Sequence, residues 1–212
     1  MASLMLHLII SNEVNKEYNL SSDFMVGTVA PDLLKIVYGR DASHYNKQIQ
    51  LEDEIRRFPD IEKFLNLFPN RNDDYFMGYL VHLVQDEIWF NRYVPKVIKR
   101  LSREKAMYYK DGSIHTTEDA TQELYNDYYV IERYLIKKYG EYDIRKLKED
   151  AKKYFKETEN KDMDDVIENE KISYKNENIK ELKIYSYNIV DDFINESIIE
   201  CKRYIDKIKG SK

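Results

Sequence analysis

The chain has 212 residues, of which 42% are hydrophobic and 34% charged, and its formal net charge is -5. This balance is typical of a folded globular protein, and the acidic net charge argues against a nucleic-acid-binding surface. Six glycines and four prolines are few for this length, which favours long helices over many short strands. We therefore predict an all-α fold in a single helical domain over residues 1–212.

The compartment follows from the cysteine and the N-terminus. Cys201 is the only cysteine, which excludes an internal disulfide and fits a reducing compartment. It lies in an apolar-periodic stretch, so we expect a buried structural thiol. The apolar N-terminus lacks a basic region and a cleavage site, and no stretch reaches the length of a membrane span. These features predict a cytoplasmic protein that retains its N-terminus.

The first elements in chain order carry three polar side chains in conspicuous places. A helix is predicted over residues 3–18, capped by Ser3, with His7 inside an apolar run. A second helix or turn over residues 23–29 is interrupted at Pro31, which places Asp32 at a helix start or a kink. His44 follows in a predicted loop over residues 39–46.

The remaining elements are predicted as helices, with no convincing strand pairs. Residues 1–140 form the predicted core, residues 141–212 are peripheral, and the poorly periodic segment 159–178 is predicted as a mobile connection. The predicted helices span residues 48–67 with a break near Pro59, 72–101, 117–139 up to Gly140, 143–157 and 178–208, with a polar loop at 110–116.

The sequence GYLVHLVQDEIW, residues 78–89, indicates a buried helix because apolar residues surround it on nearly all sides. His82 and Asp86 are four residues apart and share one face. A buried carboxylate needs compensation, which either a metal ion or a hydrogen bond to the histidine provides.

Three other residues strengthen the metal interpretation. His7 interrupts an apolar helix as His82 does, and His44 and Asp32 lie upstream of the buried helix. Taken singly, His7 is a core histidine, His44 a surface residue and Asp32 a helix cap. Together with His82 and Asp86 they form a set of imidazoles and carboxylates, the ligands of zinc and similar divalent ions. His115 is expected to be a solvated loop residue.

Four segments resemble the zinc-dependent phospholipase C family, which is distantly related to the S1/P1 nucleases. They are LHLIIS at 6–11, GTVAPD at 27–32, SHY at 43–45 and GYLVHLVQDEIW at 78–89, with weaker similarity in YNDYYVIERYL at 125–135. The resemblance implies a multi-helix bundle of that family with a multinuclear zinc site. It implies hydrolysis of a phosphodiester by metal-activated water, with a small phosphodiester or a phospholipid as substrate.

Residue by residue, the resemblance implies that His44, His82 and Asp86 are zinc ligands and that His7 serves a neighbouring zinc. It implies that Asp32 bridges or approaches the metals and acts as the general base.

The chain departs from the secreted enzymes in two ways. They use a mature N-terminal tryptophan and a further set of ligands, whereas this chain begins with Met1. Asp127 and Glu132 either substitute for that set or are ordinary acids on a helix surface. We therefore expect one or two ions, zinc or another divalent metal.

Two functions remain open at this stage. The first is a metal-dependent phosphodiesterase, and the second is a non-catalytic helical binding module that a closed metal ion stabilises. Helical phosphohydrolases that use a His-Asp dipeptide are disfavoured, because the chain contains no such dipeptide.

Overall fold

The computed structural model describes residues 3–151, 154–155, 178–179 and 181–210. These residues are mostly helical, with two small antiparallel sheets. The helices are α1 (Leu4–Tyr18), α2 (Ser22–Tyr38), α3 (Arg40–Ser43), α4 (Ile61–Leu67), α5 (Asp74–Ile88), α6 (Val94–Val97), α7 (Thr117–Tyr139), α8 (Lys148–Ala151) and α9 (Tyr187–Gly210), with a π-helical turn at Trp89–Tyr93 and a 3₁₀ helix at Ile144–Leu147. The strands are β1 (Asn46–Gln50), β2 (Ile55–Pro59), β3 (Ile98–Arg100), β4 (Lys105–Tyr108) and β5 (Ile114–Thr116).

Two predicted helices have the expected caps. The hydroxyl of Ser3 accepts a hydrogen bond from the backbone N–H of Leu6 and begins α1. Thr116 caps α7 in the same way, and Gly140 ends that helix in a positive-φ conformation. The predictions for residues 3–18 and 117–139 are confirmed because local cap and periodicity signals agree there.

The all-α prediction is wrong in two segments, which form the small sheets. Residues 48–67 were predicted as a helix pair, but β1 and β2 pair as a hairpin, with Gln50 opposite Ile55, before the short helix α4. Pro59 tolerates this placement because it ends an outer strand. In the second sheet β4 pairs with both β3 and β5, so residues 114–116 of the predicted loop 110–116 form a strand, while residues 110–113 are the turn before it.

Other helix boundaries also differ from the prediction. The helix predicted over residues 72–101 ends at Ile88, and the chain continues through the π-helical turn and α6 into strand β3. Pro95 starts the short α6, where a missing N–H is harmless, and the β-branched Val97 and Ile98 then favour a strand. The C-terminal helix begins at Tyr187 rather than at residue 178.

Pro31 lies inside α2 and does not end it. Asp32 is therefore an interior helix residue, and the prediction of a helix start is wrong. Proline removes only one backbone donor. We attribute the continuation of α2 to its burial against α5, since residues 24–33 of α2 are buried.

One hydrophobic cluster extends from Leu4 in α1 to Ile205 in α9. Cys201 is fully buried in α9, and burial raises the pKa of its thiol, as expected for a structural cysteine. None of the described helices is both long and apolar enough to cross a membrane. Residues 152–153 and 156–157 of the predicted helix 143–157, and residues 159–177 of the predicted mobile connection, lie outside the described residues.

Candidate metal centre

The five side chains that the sequence analysis singled out meet in one place in the core. Helix α1 contributes His7, α2 contributes Asp32, α5 contributes His82 and Asp86, and His44 directly follows α3. All five are at most 3% exposed. We call these five residues the His/Asp centre.

A close approach of α2 and α5 positions the centre. A Cβ atom added to Gly27 would overlap the backbone carbonyl of Tyr75, and one added to Gly78 would overlap that of Phe24. Glycine is the residue that permits such contact between helix backbones. Gly78 lies one helical turn before His82, so the contact between α2 and α5 fixes the position of α5 next to the His/Asp centre.

The three histidines present the same ring nitrogen to one another. His82 Nδ1 donates to the Thr28 carbonyl at 2.7 Å. His7 Nδ1 donates to Gln85 Oε1 at 3.0 Å, and the Gln85 amide group donates in turn to Ser11 at 3.1 Å. The Ser43 hydroxyl donates to the Arg40 carbonyl at 3.4 Å, so it accepts the 2.8 Å hydrogen bond that it shares with His44 Nδ1. In this tautomer each Nε2 carries a lone pair, as in metal-ligating histidines held by outer hydrogen bonds.

Three distances within the centre match those between ligands of a shared ion, whereas Asp86 Oδ2 lies 3.8 Å from His44 Nε2 and 4.0 Å from His82 Nε2. His44 Nε2 lies 3.4 Å from His82 Nε2, and His7 Nε2 lies 3.3 Å from Asp86 Oδ1. His44 Nε2 also lies 3.3 Å from Asp32 Oδ1. Tetrahedral zinc bonds of about 2.0–2.2 Å place neighbouring donor atoms about 3.3–3.6 Å apart. Two nitrogen lone pairs that face each other need a cation or a proton between them.

The donor atoms fall into two groups of three that share His82. One group contains His7, Asp32 and His82, and the other contains His44, His82 and Asp86. Within each group the donor atoms lie within 4.8 Å of one another. The centre therefore has donors for more than one ion, or for one ion and an additional interaction.

Charge in the centre is arranged as a metal site requires. Burial raises the pKa of Asp32, but His44, His82 and Lys35 outweigh it and hold that pKa well below its usual range. Burial likewise opposes ionisation of Asp86, and His7 and His82 reverse the effect on its pKa. Burial also lowers the pKa of His82. The low pKa values keep both carboxylates ionised, which is the form in which they ligate a metal.

The residues present fit a divalent cation. In the described part of the chain, His7 Nε2 and both carboxylate oxygens of Asp32 have no hydrogen-bond partner although they are buried. Leaving such groups unsatisfied is unfavourable by about 1–3 kcal/mol each, and more for charged groups. Imidazole nitrogen and carboxylate oxygen together suit zinc and related ions.

Asp127 and Glu132, the two further ligand candidates from the sequence, lie outside both donor groups. Asp127 is fully buried, and its carboxylate accepts hydrogen bonds from the backbone N–H groups of Lys183, Ile184 and Tyr185, each at 2.8 Å. Glu132 is also buried, so the interpretation of both as surface acids is wrong. His115 is a half-buried residue of strand β5 that stacks on Tyr108, which corrects its assignment to a solvated loop.

The residues that orient the histidines were not predicted from the sequence. Gln85 is a polar residue inside an otherwise apolar buried helix, which was a signal in the sequence. Ser43 directly precedes His44, and the hydroxyl of Tyr79 donates to the Ser43 carbonyl. Thr28 acts through its backbone carbonyl, so its side-chain type carries no signal.

Comparison of the chain with protein-family models, with curated proteins and with solved structures finds no match.

Proposed function

We propose that this protein is a metal-dependent hydrolase of phosphoric esters, with chemistry similar to that of the zinc-dependent phospholipase C family. The observation that carries the proposal is that three histidines and two aspartates form two overlapping groups of donor atoms in the buried core. A closed structural zinc site uses four ligands. Five donor residues support a second ion or a position for substrate. The candidate substrates are a small phosphodiester and a phospholipid.

The ligand set we propose is His7, Asp32, His44, His82 and Asp86. A divalent ion bound there would polarise a phosphoryl oxygen and lower the pKa of a water molecule. The chain's own contribution is to hold both carboxylates ionised and to fix the three imidazoles through Gln85, Thr28 and Ser43.

Asp32 is the proposed general base. It is the most exposed of the five residues, at 3%, and its Oδ1 lies 3.5 Å from the ammonium group of the half-buried Lys35. A substrate phosphate that approached along this edge would meet the positive charge of Lys35. Asp32 has two carboxylate oxygens, so one can contact an ion while the other accepts a proton.

A non-catalytic module is the second candidate function. It is favoured by the near-complete burial of the centre, since a structural ion is enclosed by protein ligands. In that case the ion would join α1, α2 and α5 and would support folding alone.

The test combines metal content with hydrolysis. Metal bound per chain is measured by elemental analysis, and turnover is measured with bis(p-nitrophenyl) phosphate and p-nitrophenyl phosphate, with and without chelator. We expect His82→Ala to lose metal and activity together. His115→Ala is the matched control, because it removes a histidine outside the centre.

Asp32→Asn separates the two candidates. It leaves the donor group His44, His82 and Asp86 intact, so the variant is expected to keep an ion there and to lose at least about 100-fold in turnover, the loss typical when a general base is removed. Metal-loaded wild-type protein that hydrolyses neither ester, with a stability that depends on metal, would contradict the hydrolase and favour the module.

A further inference from the structure

A cavity of about 200 Å³ lies between the N-terminus of α3, the β1–β2 hairpin and α7. Four arginines line it, and Glu54 is the only acidic residue among the described residues that do so. None of the five residues of the centre lines it. The four arginines are Arg40, Arg56, Arg57 and Arg100.

The positive charge is only partly neutralised. Glu54 pairs with Arg56 at 2.8 Å, and the exposed Asp41 pairs with Arg57. No carboxylate of the described residues lies within ion-pair distance of Arg40 or Arg100. In the same part of the chain, Arg40 Nε is buried without a hydrogen-bond partner.

The arginines are close enough to affect one another. Burial lowers the pKa of Arg57, and the positive charges of Arg40 and Arg100 lower it further. Like charges held together beside a cavity destabilise the folded protein. An anion in the cavity would relieve that repulsion.

Most of the remaining wall is apolar or aromatic, and Asn46, Thr117 and Thr121 are its polar members. Phe90, Tyr125 and Tyr128 line it together with aliphatic residues of α6, β3 and α7. The guanidinium of Arg40 lies over the Phe90 ring, 5.1 Å from its centroid, which holds the planar group at the wall. The cavity therefore offers positive charge for an anion next to an apolar and aromatic surface for an uncharged group.

We propose that this cavity binds a phosphorylated small molecule, with its phosphate against Arg40 and Arg100 and its apolar body against Phe90 and Tyr125. Arginine is suited to phosphate because its fork of N–H donors engages two oxygens at once. The cavity volume suits a small aromatic or apolar body. This inference does not depend on the proposed hydrolase activity.

The test is calorimetric titration of the full-length protein with phenyl phosphate. Benzyl alcohol is the neutral comparison ligand, and inorganic phosphate lacks the aromatic body. We expect phenyl phosphate to bind more tightly than either. Arg40→Gln and Arg100→Gln should each weaken binding by about tenfold, the loss expected for one charge-assisted contact. Arg203→Gln on the outer surface of α9 is the matched control.

Metal removal separates this site from the His/Asp centre. Wild-type protein treated with chelator should bind phenyl phosphate within about twofold of untreated protein. Binding that persists in both arginine variants but disappears with chelator would assign the phosphate to the centre and overturn the inference. Equal affinity of wild type and both arginine variants would overturn it as well, whether or not the protein hydrolyses esters. Circular dichroism checks that each variant is folded.

Discussion

Two regions of this molecule bury aspartates, and they satisfy them in opposite ways. Asp127 in α7 accepts three backbone N–H groups from the segment before α9, so its charge is compensated within the chain. Asp32 in α2 faces imidazole nitrogens and Lys35, and its buried oxygens accept no hydrogen bond from the described residues. Burial alone therefore does not identify a metal ligand, whereas the chemical type of the neighbouring groups does.

The largest expected effect is the stabilisation of the protein by zinc, which should depend on the His/Asp centre and not on Asp127. At a free zinc concentration of about 1,000 times Kd, zinc should raise the free energy of unfolding of wild type by about 4 kcal/mol. His82→Ala should show almost none of this increase, and His115→Ala should show all of it. Urea denaturation with and without zinc measures it, and an equal increase in His82→Ala would contradict the assignment of the centre.

Substitution of Asp127 should destabilise the protein whether or not metal is present. Asp127→Ala leaves three backbone donors without their acceptor, which should lower the free energy of unfolding by about 3 kcal/mol or more. The loss should be the same in zinc and in chelator, and zinc per chain should stay at the wild-type value. A variant that lost its zinc would show that Asp127 belongs to the metal region.

The helix crossing beneath the centre gives a third test. Gly78→Ala introduces a methyl group against the Phe24 backbone, and such overpacking should destabilise the protein by about 1–3 kcal/mol and weaken zinc binding. Gly210→Ala, at the open end of α9, should change stability by less than about 0.5 kcal/mol. Both are measured by urea denaturation and by zinc titration, and unchanged zinc affinity in Gly78→Ala would contradict the positional role of the crossing.

The smallest expected effect concerns the orientation of one ligand. Ser43→Ala removes the acceptor of His44 Nδ1 and should weaken zinc affinity by about tenfold, with little change in the metal-free protein. Competition with a chromogenic chelator measures the affinity. The matched control is Ser197→Ala, which changes a buried serine of α9. Equal zinc affinities of the two variants would show that Ser43 does not orient His44.

The sequence predicted the members of the centre better than it predicted the elements around them. His82 and Asp86 were identifiable because the apolar residues around them indicate a buried helix. Burial requires a partner for each of these two polar side chains, and this signal lies within a few residues of the chain. The β1–β2 hairpin was missed because its strands are short and half-exposed, so tertiary pairing decides their structure. Pro31 misled the prediction for α2 because packing against α5 outweighed one missing donor. The roles of Gln85 and Asp127 depend on partners 78 and 56–58 residues away in the chain, which no local pattern encodes.

The contact of α2 and α5 at Gly27 and Gly78 also bears on which ion the centre accepts. Because backbone atoms meet there, the spacing between Asp32 on one helix and His82 on the other is fixed by the main chain. Zinc takes nitrogen and oxygen ligands at about 2.0–2.2 Å, whereas calcium takes six to eight oxygens at about 2.3–2.6 Å. A larger ion would have to push apart two helices that already touch. We therefore expect ion radius to discriminate between metals here, in addition to ligand type.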